Sequence, residues 1–159
     1  MTGGGLKIVM EELSLHILDI VENSIDGGAK KVEIIVEEDS VKNRMMIEIR
    51  DDGRGMDEGT LGKVFDPFFT TRKVRKVGLG LPLLKQAAEA AGGGLNIESQ
   101  PGQGSVVRAS FQLDHIDRQP LGDMVQTLRL LVATHPEIRF IYKHRYEEEE
   151  LCFDSQEEA

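Results

Sequence analysis

The sequence predicts an α+β fold: a two-layer sandwich in which helices cover one face of a mixed, mainly antiparallel sheet, followed by a C-terminal helix and hairpin. Helical and alternating apolar patterns occur in the order helix, two strands, short helix, basic segment, helix, two strands. The strands come in neighbouring pairs joined by turns, which is typical of antiparallel pairing. Helices on one face of such a sheet bury both sets of apolar residues.

Length and composition predict the domain organisation. With 159 residues, of which 40% are hydrophobic, the chain can bury one core. We expect a flexible N-terminus over residues 1–10, one domain over residues 11–114 and a helix-plus-hairpin extension over residues 115–159, where the composition changes. The net charge of −9 argues against nonspecific binding to nucleic acid or to an anionic membrane surface, and it is compatible with a basic partner.

Cysteine content and hydropathy indicate the compartment. The single cysteine, Cys152, excludes an internal disulfide, and no cluster of Cys and His has the spacing of a metal site. No apolar run approaches the roughly 20 residues that span a bilayer, and the N-terminus lacks the pattern of a secretory signal. We therefore expect no membrane segment and a cytoplasmic location.

The first predicted helix, Leu13 to Ala29, carries a polar stripe. Helical spacing places four polar residues on one face and apolar residues on the remainder; the four are His16, Asp19, Asn23 and Asp26. An Asn in mid-helix is unfavourable, because its amide competes for backbone hydrogen bonds. Asn23 therefore indicates a ligand, and a merely solvated face is the alternative.

Gly27-Gly28 is a suitable end for this helix, and a hairpin and a glycine-containing loop follow it. Residues 30–36 and 45–50 alternate as two strands, and Gly53 and Gly55 lie in the loop directly after them. Asp51, at the strand end, can accept a hydrogen bond from an exocyclic amine of a ligand. A plain turn is the alternative interpretation of this loop.

Two further segments indicate an anionic ligand. After a short helix over residues 58–64, the aromatic stretch 65–71 leads into the basic residues 72–76, which suit a cover over an anion, with core packing of the phenylalanines as the alternative. The helix Leu81 to Ala91 then begins among glycines. Its free amides predict a phosphate site.

Strand and helix signals continue to the end of the chain. The remaining predicted elements are two strands, a helix and two more strands, over residues 95–99, 105–113, 122–134, 138–143 and 151–153. We expect the acidic run Glu147 to Glu150 to be a solvated turn. The extension after Leu113 is either a surface for a partner or a packing cap, and the sequence leaves both open.

Five segments resemble the successive motifs of the ATP-binding fold shared by sensor histidine kinases, gyrase, mismatch-repair ATPases and related chaperones. Within Leu13 to Leu113 they are, in order, VENSIDGGA, DDGRGMD, FDPFFTT, GLGLPLLKQ and GQGSVVRASF. Residues 65–113 look most like a sensor histidine kinase, whereas residues 18–29 look more like the mismatch-repair and gyrase branch. The whole chain is similar to small stand-alone kinase-like proteins encoded alongside iron-only hydrogenase subunits in anaerobic bacteria.

The resemblance implies ATP and Mg²⁺ as cofactors. It assigns Asn23 to the Mg²⁺ that bridges the phosphates and Asp51 to the adenine amino group, while Ser105 stands where the family usually has a Thr near the adenine. It also implies nucleotide contacts for the loop, the basic lid and the helix start, which are Gly53, Gly55 and Met56, Arg72 and Lys73, and Gly78, Leu79, Gly80 and Leu81. Asp26 is included among the nucleotide-binding residues. It replaces a residue that is usually basic in sensor kinases, so one phosphate contact is missing or comes from Lys30 or the lid.

Asp19 is the candidate catalytic residue. By resemblance, gyrase-like hydrolases carry a Glu here that orients the attacking water, and sensor kinases usually carry Asn. Three roles stay open for Asp19: a base acting through an altered water position, a metal ligand through water, or a merely solvated side chain. For His16, a place beside metal or phosphate is one interpretation, and an ordinary helix-surface histidine is the expected one.

No phosphoacceptor is recognisable in this sequence. Sensor kinases place the acceptor histidine on a separate helical hairpin, usually before an acidic residue. The residues before the first helix are too few for such a hairpin, and none of the four histidines precedes an acidic residue. We therefore predict a Mg-ATP-binding domain that transfers the γ-phosphate to a partner protein in trans in signal transduction. The alternative is an ATP-dependent conformational switch or a slow ATPase that regulates a partner such as a redox enzyme.

Overall fold

The structure, a computed structural model, describes residues 11–63 and 80–157. Within them lie four helices and six strands, in the order α1 (Leu13–Asp26), β1 (Lys31–Asp39), β2 (Arg44–Asp51), α2 (Glu58–Leu61), α3 (Gly80–Ala90), β3 (Gly94–Gln100), β4 (Gly104–Gln112), α4 (Met124–Thr134), β5 (Arg139–Tyr146) and β6 (Glu149–Asp154). None of these described helices is long and apolar enough to cross a membrane. The predicted N-terminus over residues 1–10, the aromatic stretch 65–71 and the basic lid 72–76 lie outside the described residues.

The six described strands form one sheet in the order β3-β4-β2-β1-β5-β6. The pairs β1–β2, β2–β4, β3–β4 and β5–β6 are antiparallel, and the pair β1–β5 is parallel. The predicted α+β class with a mixed, mainly antiparallel sheet is therefore confirmed. The C-terminal hairpin β5–β6 extends this same sheet, because β5 pairs with β1 along its length.

One face of the sheet is covered by helices and holds the core. Every second strand residue lies on this face, and Ile34 of β1 is fully buried there. The helices supply the rest of the same cluster, with Ile17 from α1, Leu84 from α3 and Leu131 from α4. Burial of such side chains contributes about 1.5–3 kcal/mol each, which makes this cluster the main source of stability.

The opposite face of the sheet carries charged side chains in an open arrangement. Glu48 of β2 pairs there with Arg50 and with Arg108 of β4, whose Nε lies 3.0 Å from Glu48 Oε1. Burial raises the pKa of Glu48, but hydrogen bonds from the two arginines outweigh it, so the pKa is below its usual value. Surface ion pairs contribute about 0–1 kcal/mol each, so this face adds much less to stability than the core.

Helix α1 begins without a side-chain cap. Glu12 precedes it and makes no capping hydrogen bond. Instead, the N–H groups of Leu13 and Ser14 donate to the carbonyl oxygens of Pro120 and Leu121, each over 2.8 Å. The first turn of α1 therefore depends on the segment that precedes α4. At its other end α1 stops at Asp26, directly before Gly27 and Gly28, where the sequence predicts the end of the helix.

The prediction that His16 is an ordinary surface histidine was wrong. The residue is only 2% exposed, and its Nε2 lies 3.1 Å from Oε1 of Gln119. The reason is that residues 118–123 fold over the start of α1, which no local pattern indicates. A buried histidine needs a hydrogen-bond partner, and Gln119 is that partner.

The other elements differ from the predictions mainly at their ends. Helix α2 ends at Leu61. Helix α4 begins at Met124, because the side chain of Asp123 caps it by accepting a hydrogen bond from the N–H of Gln126. Part of the predicted acidic turn belongs to β6, which begins at Glu149.

The extension packs into the core of the domain. The buried residues that it supplies include Leu128 and Leu131 of α4 and Phe140 and Tyr142 of β5. Of the two roles left open by the sequence, packing is therefore observed. A role as a partner surface stays a prediction.

Candidate functional site

A row of polar side chains crosses three strands at one end of the helix-covered face. Asp51 of β2 lies opposite Ser105 of β4, and Ser105 lies opposite Ser99 of β3. The row directly inside it is apolar, with Ile49 opposite Val107. Because strand residues alternate between faces, the polar row lies on the same side as this core layer. At this end of the helix-covered face, the apolar layer is therefore followed by a row of one carboxylate and two hydroxyl groups.

The carboxylate of Asp51 is held by two hydrogen bonds. Its Oδ1 accepts from the N–H of Gly53 over 2.8 Å, and its Oδ2 accepts from the hydroxyl of Ser24 over 2.8 Å. A carboxylate has about four acceptor positions, so these two donors orient it and leave others for a ligand. Ser24 follows Asn23 on α1, and the sequence patterns did not single it out. Its role requires a contact between α1 and the end of β2.

The glycines of the loop after β2 are required by the close approach of the protein's own backbone. A Cβ on Gly53 would lie 3.1 Å from the carbonyl oxygen of Gly27. Gly55 has a φ of +73°, and a Cβ there would collide with the carbonyl of Gln100. Gly104, with a φ of +86°, faces the carbonyl of Asp51 in the same way. The loop and the β3–β4 turn therefore fit together only without side chains at Gly55 and Gly104, and Gly53 leaves little room for one beside the end of α1.

Main-chain and side-chain hydrogen bonds fix this loop in place. The N–H of Arg54 donates to the carbonyl of Gly27 over 3.0 Å, and the carbonyl of Arg54 accepts from the N–H of Gly102. The N–H of Met56 donates to the hydroxyl of Ser99 over 2.8 Å. Hydrogen bonds thus hold the loop beside Asp51, and this loop contains the three predicted residues Gly53, Gly55 and Met56.

The polar residues of α1 lie above this end of the sheet in a second group. Asp19 and Asn23 are half-buried, and the Asn23 amide has no hydrogen-bond partner within residues 11–63 and 80–157. Gly80, the first residue of α3, packs directly on α1, since a Cβ on it would lie 3.0 Å from Cβ of Asp19. The start of α3, with its free amides, therefore meets the helix turn that carries Asp19.

The remaining predicted site residues fall into two classes. Asp26 is exposed at the end of α1, where its carbonyl accepts from Arg54 Nη2 over 3.2 Å, and Leu81 is half-buried against the core. Lys30 is exposed and donates its main-chain N–H to Asp52 Oδ1 over 2.8 Å. Four predicted positions lie outside the described residues, namely Arg72, Lys73, Gly78 and Leu79.

Comparison with known families identifies the class of protein that this arrangement defines. Residues 8–115 match the family described as "Histidine kinase-, DNA gyrase B-, and HSP90-like ATPase". The match covers more than half of the chain, so the protein belongs to this ATPase family. The resemblance read from the sequence motifs is confirmed, and the chain contains an ATP-binding domain of the histidine-kinase type.

Two curated relatives share this domain. The sensor protein kinase WalK of Staphylococcus haemolyticus (strain JCSC1435) is 36% identical over 95 residues, which are 57% of this chain and 16% of that protein. Sporulation kinase C of Bacillus subtilis (strain 168) is 28% identical over 102 residues, which are 64% of this chain and 24% of that protein. The chain thus spans about a quarter or less of the length of these relatives.

A solved structure supports the fold. The N-terminal domain of a DNA repair protein superimposes with a TM-score of 0.54 over 89% of this chain and 51% of that chain, at 15% sequence identity. At this identity the likeness shows the fold alone. It extends over more of the chain than the family match.

Proposed function

We propose that this protein binds Mg-ATP and transfers the γ-phosphate to a partner protein in trans, in cytoplasmic signal transduction. The observation that carries the proposal is the Asp51 carboxylate, which Ser24 and Gly53 hold at the sheet end of a domain that belongs to an ATPase family.

The part of the site around Asp51 and Ser105, here called the base end, suits the adenine base of a nucleotide. Asp51 accepts hydrogen bonds and, as a carboxylate, donates none, so its ligand must present a hydrogen. The exocyclic amine of adenine does so, whereas guanine presents a carbonyl oxygen at the corresponding position. Ile49 and Val107 form the buried apolar layer directly inside the row of Asp51 and Ser105, and an apolar neighbourhood suits a planar base. ATP is therefore the expected nucleotide.

The part of the site around Asn23 and Gly80, here called the phosphate end, suits Mg²⁺ and a triphosphate. The half-buried Asn23 amide has no partner among the described residues, and an amide oxygen is a ligand that Mg²⁺ accepts together with water and phosphate oxygens. The amides at Gly80 and Leu81 open α3, where the helix dipole favours anions. By resemblance, Gly78, Leu79, Arg72 and Lys73 complete the phosphate contacts.

Catalysis would consist mainly of positioning and charge neutralisation. In the transfer, a nucleophile of the partner forms a bond to the γ-phosphorus while the bond from that phosphorus to the bridging β–γ oxygen breaks, and ADP leaves. Residues of this chain hold the phosphates in line for that attack, which is the larger part of the rate gain in phosphoryl transfer. The kinase names of the relatives favour a protein acceptor.

Phosphotransfer is tested with γ-labelled ATP and Mg²⁺, supplied to the purified protein with and without an extract of its source cells. We expect label on a second protein with the wild type and none with Asn23→Ala, because the Mg²⁺ ligand is lost. Acid-labile label then identifies phosphohistidine. Equal label with both proteins, or none with a wild type that binds ATP, would contradict the kinase proposal.

A slow ATPase that regulates a partner protein is the second candidate. The observation that favours it is the position of Asp19, which lies on α1 against the first residue of α3. A carboxylate there is suitably placed to orient an attacking water near the phosphates. In this case Asp19→Asn abolishes phosphate release and leaves ATP binding intact. Unchanged phosphate release by this variant would exclude Asp19 as the base.

A further inference from the structure

Ser99 lies outside the motifs that carry the resemblance and has no assigned role, yet its hydroxyl contacts three groups at the base end of the site. It accepts from the N–H of Met56 over 2.8 Å, and it lies 2.7 Å from the hydroxyl oxygen of Ser105 and 3.1 Å from the carbonyl oxygen of Gly104. These contacts join β3 to the glycine loop and to β4. Ser99 is half-buried and stands in register with Asp51 and Ser105.

We propose that Ser99 is a positioning residue that fixes the orientation of the Ser105 hydroxyl and thereby strengthens discrimination between adenine and guanine. The inference rests on the proposed function, because it assumes that a purine nucleotide binds beside Asp51. Ser99 acts through Ser105 and through the Met56 amide. It is not proposed to contact the nucleotide.

The number of protons and lone pairs on the two hydroxyl groups explains how Ser99 orients Ser105. A hydroxyl has one proton to donate and two lone pairs, and one lone pair of Ser99 is used by the N–H of Met56. The single proton of Ser99 is donated to the carbonyl oxygen of Gly104, so its second lone pair accepts the proton of Ser105. The Ser105 hydroxyl therefore has only its lone pairs left for a nucleotide, and it acts as an acceptor, as Asp51 does. Without Ser99 this hydroxyl rotates freely.

A rotating hydroxyl does not distinguish the two purines. Adenine presents a donor amine beside the acceptor N1, and guanine presents an acceptor O6 beside the donor N1–H. A free hydroxyl serves as donor or acceptor for either edge, so it binds both equally well. A hydroxyl held in one orientation favours one edge. Asp51 favours adenine through its fixed acceptors, and an oriented Ser105 adds to that preference.

The test measures the dissociation constants of non-hydrolysable ATP and GTP analogues with Mg²⁺ by calorimetry. We expect Ser99→Ala to lower the ATP-to-GTP preference about three- to tenfold, the effect of one oriented hydrogen bond. Ser99→Thr, which keeps the hydroxyl, is expected to restore the preference. Ser110→Ala is the matched control, since Ser110 lies on β4 with the parity of Arg108, on the face opposite the core. It is expected to leave the preference unchanged.

A double-mutant cycle separates positioning from a general loss of structure. If Ser99 acts through Ser105, adding Ser99→Ala to Ser105→Ala changes the ATP-to-GTP preference no further. An unchanged preference in Ser99→Ala, or in Ser105→Ala should the former fail to fold, overturns the inference. A wild type that binds neither analogue instead overturns the proposed function, so the two failures are distinguishable.

Discussion

The family-matched region, residues 8–115, and the region after it differ in where their important contacts lie. In the described part of the matched region, the motif residues Asp51 and Gly53 contact each other, and Asp51 also contacts Ser24 of the same region. In residues 116–157, which carry no motif, the buried residues and several hydrogen bonds reach back to α1 and β1. The comparison teaches that α1, which carries the candidate residues Asp19 and Asn23, is completed by a segment outside the family match.

Contacts between the two regions occur at both ends of α1. At its start, Pro120 and Leu121 accept the first amide hydrogens. Near its end, Nε2 of His135 lies 3.0 Å from Oε1 of Glu22, the residue before Asn23. Asp19 lies on α1 between these two contacts, and Asn23 directly follows Glu22. The extension is therefore a structural support for the candidate phosphate end of the site.

Deletion of residues 116–159 is expected to have the largest effect. It removes Leu131 and Phe140 from the core, and losses of this size cost about 2–5 kcal/mol each against a total stability of about 5–15 kcal/mol. We expect the shortened chain to lose its cooperative thermal transition, followed by circular dichroism beside the full-length chain. A cooperative transition together with full ATP binding by residues 1–115 would show that the matched region folds without the extension, and it would contradict this prediction.

Loss of the contact between Gln119 and His16 is expected to have an intermediate effect. Gln119→Ala leaves the buried ring nitrogen without its partner, which costs about 1–3 kcal/mol of unfolding free energy in urea. Gln126→Ala, on the exposed side of α4, is the control and should change stability by less than about 0.5 kcal/mol. Equal stabilities of the two variants would mean that the segment before α4 does not hold α1.

The smallest expected effect concerns Tyr142 of β5, which reports whether the extension is packed. Burial, with a smaller contribution from the charge of Glu38, raises the pKa of Tyr142 to about 12. The folded state then keeps the phenol proton longer than the unfolded chain, whose pKa is about 10. Stability from this group is present below pH 10 and is lost as the pH rises toward 12.

Spectrophotometric titration at alkaline pH checks this prediction. We expect the phenolate of Tyr142 to appear near pH 12. In Tyr142→Phe that step is absent, and the alkaline decline in stability is weaker than in the wild type. Ionisation of Tyr142 at the usual value near pH 10 would indicate an unpacked β5.

The sequence predicted the elements and the motif residues well because those signals are local. Helical and alternating apolar periods identified each described element, and the order of motifs identified the family. The supporting contacts were not predictable in this way. Ser24 and Asp51 are 27 positions apart, Met56 and Ser99 are 43 apart, and His16 and Gln119 are 103 apart.

The position of the extension in the sheet could not be predicted from sequence patterns either. Alternation over residues 138–143 predicted a strand, but it carries no information on which strand pairs with it. The parallel pairing of β5 with β1 follows from tertiary packing, since Phe140 and Tyr142 fill the core beside β1. Local periodicity thus predicted that β5 exists, and the core determined where it lies.

The central claim, that ATP binds with its adenine at the carboxylate of Asp51, is tested most directly by calorimetric titration of Mg-ATP into the wild type and Asp51→Asn. Asn keeps the size of the side chain but replaces an acceptor by a donor amide, so we expect binding to weaken about tenfold or more. Asp39→Asn, at the far end of the β1–β2 hairpin, is the control and should bind as the wild type does. Equal affinity of the wild type and Asp51→Asn would contradict the account.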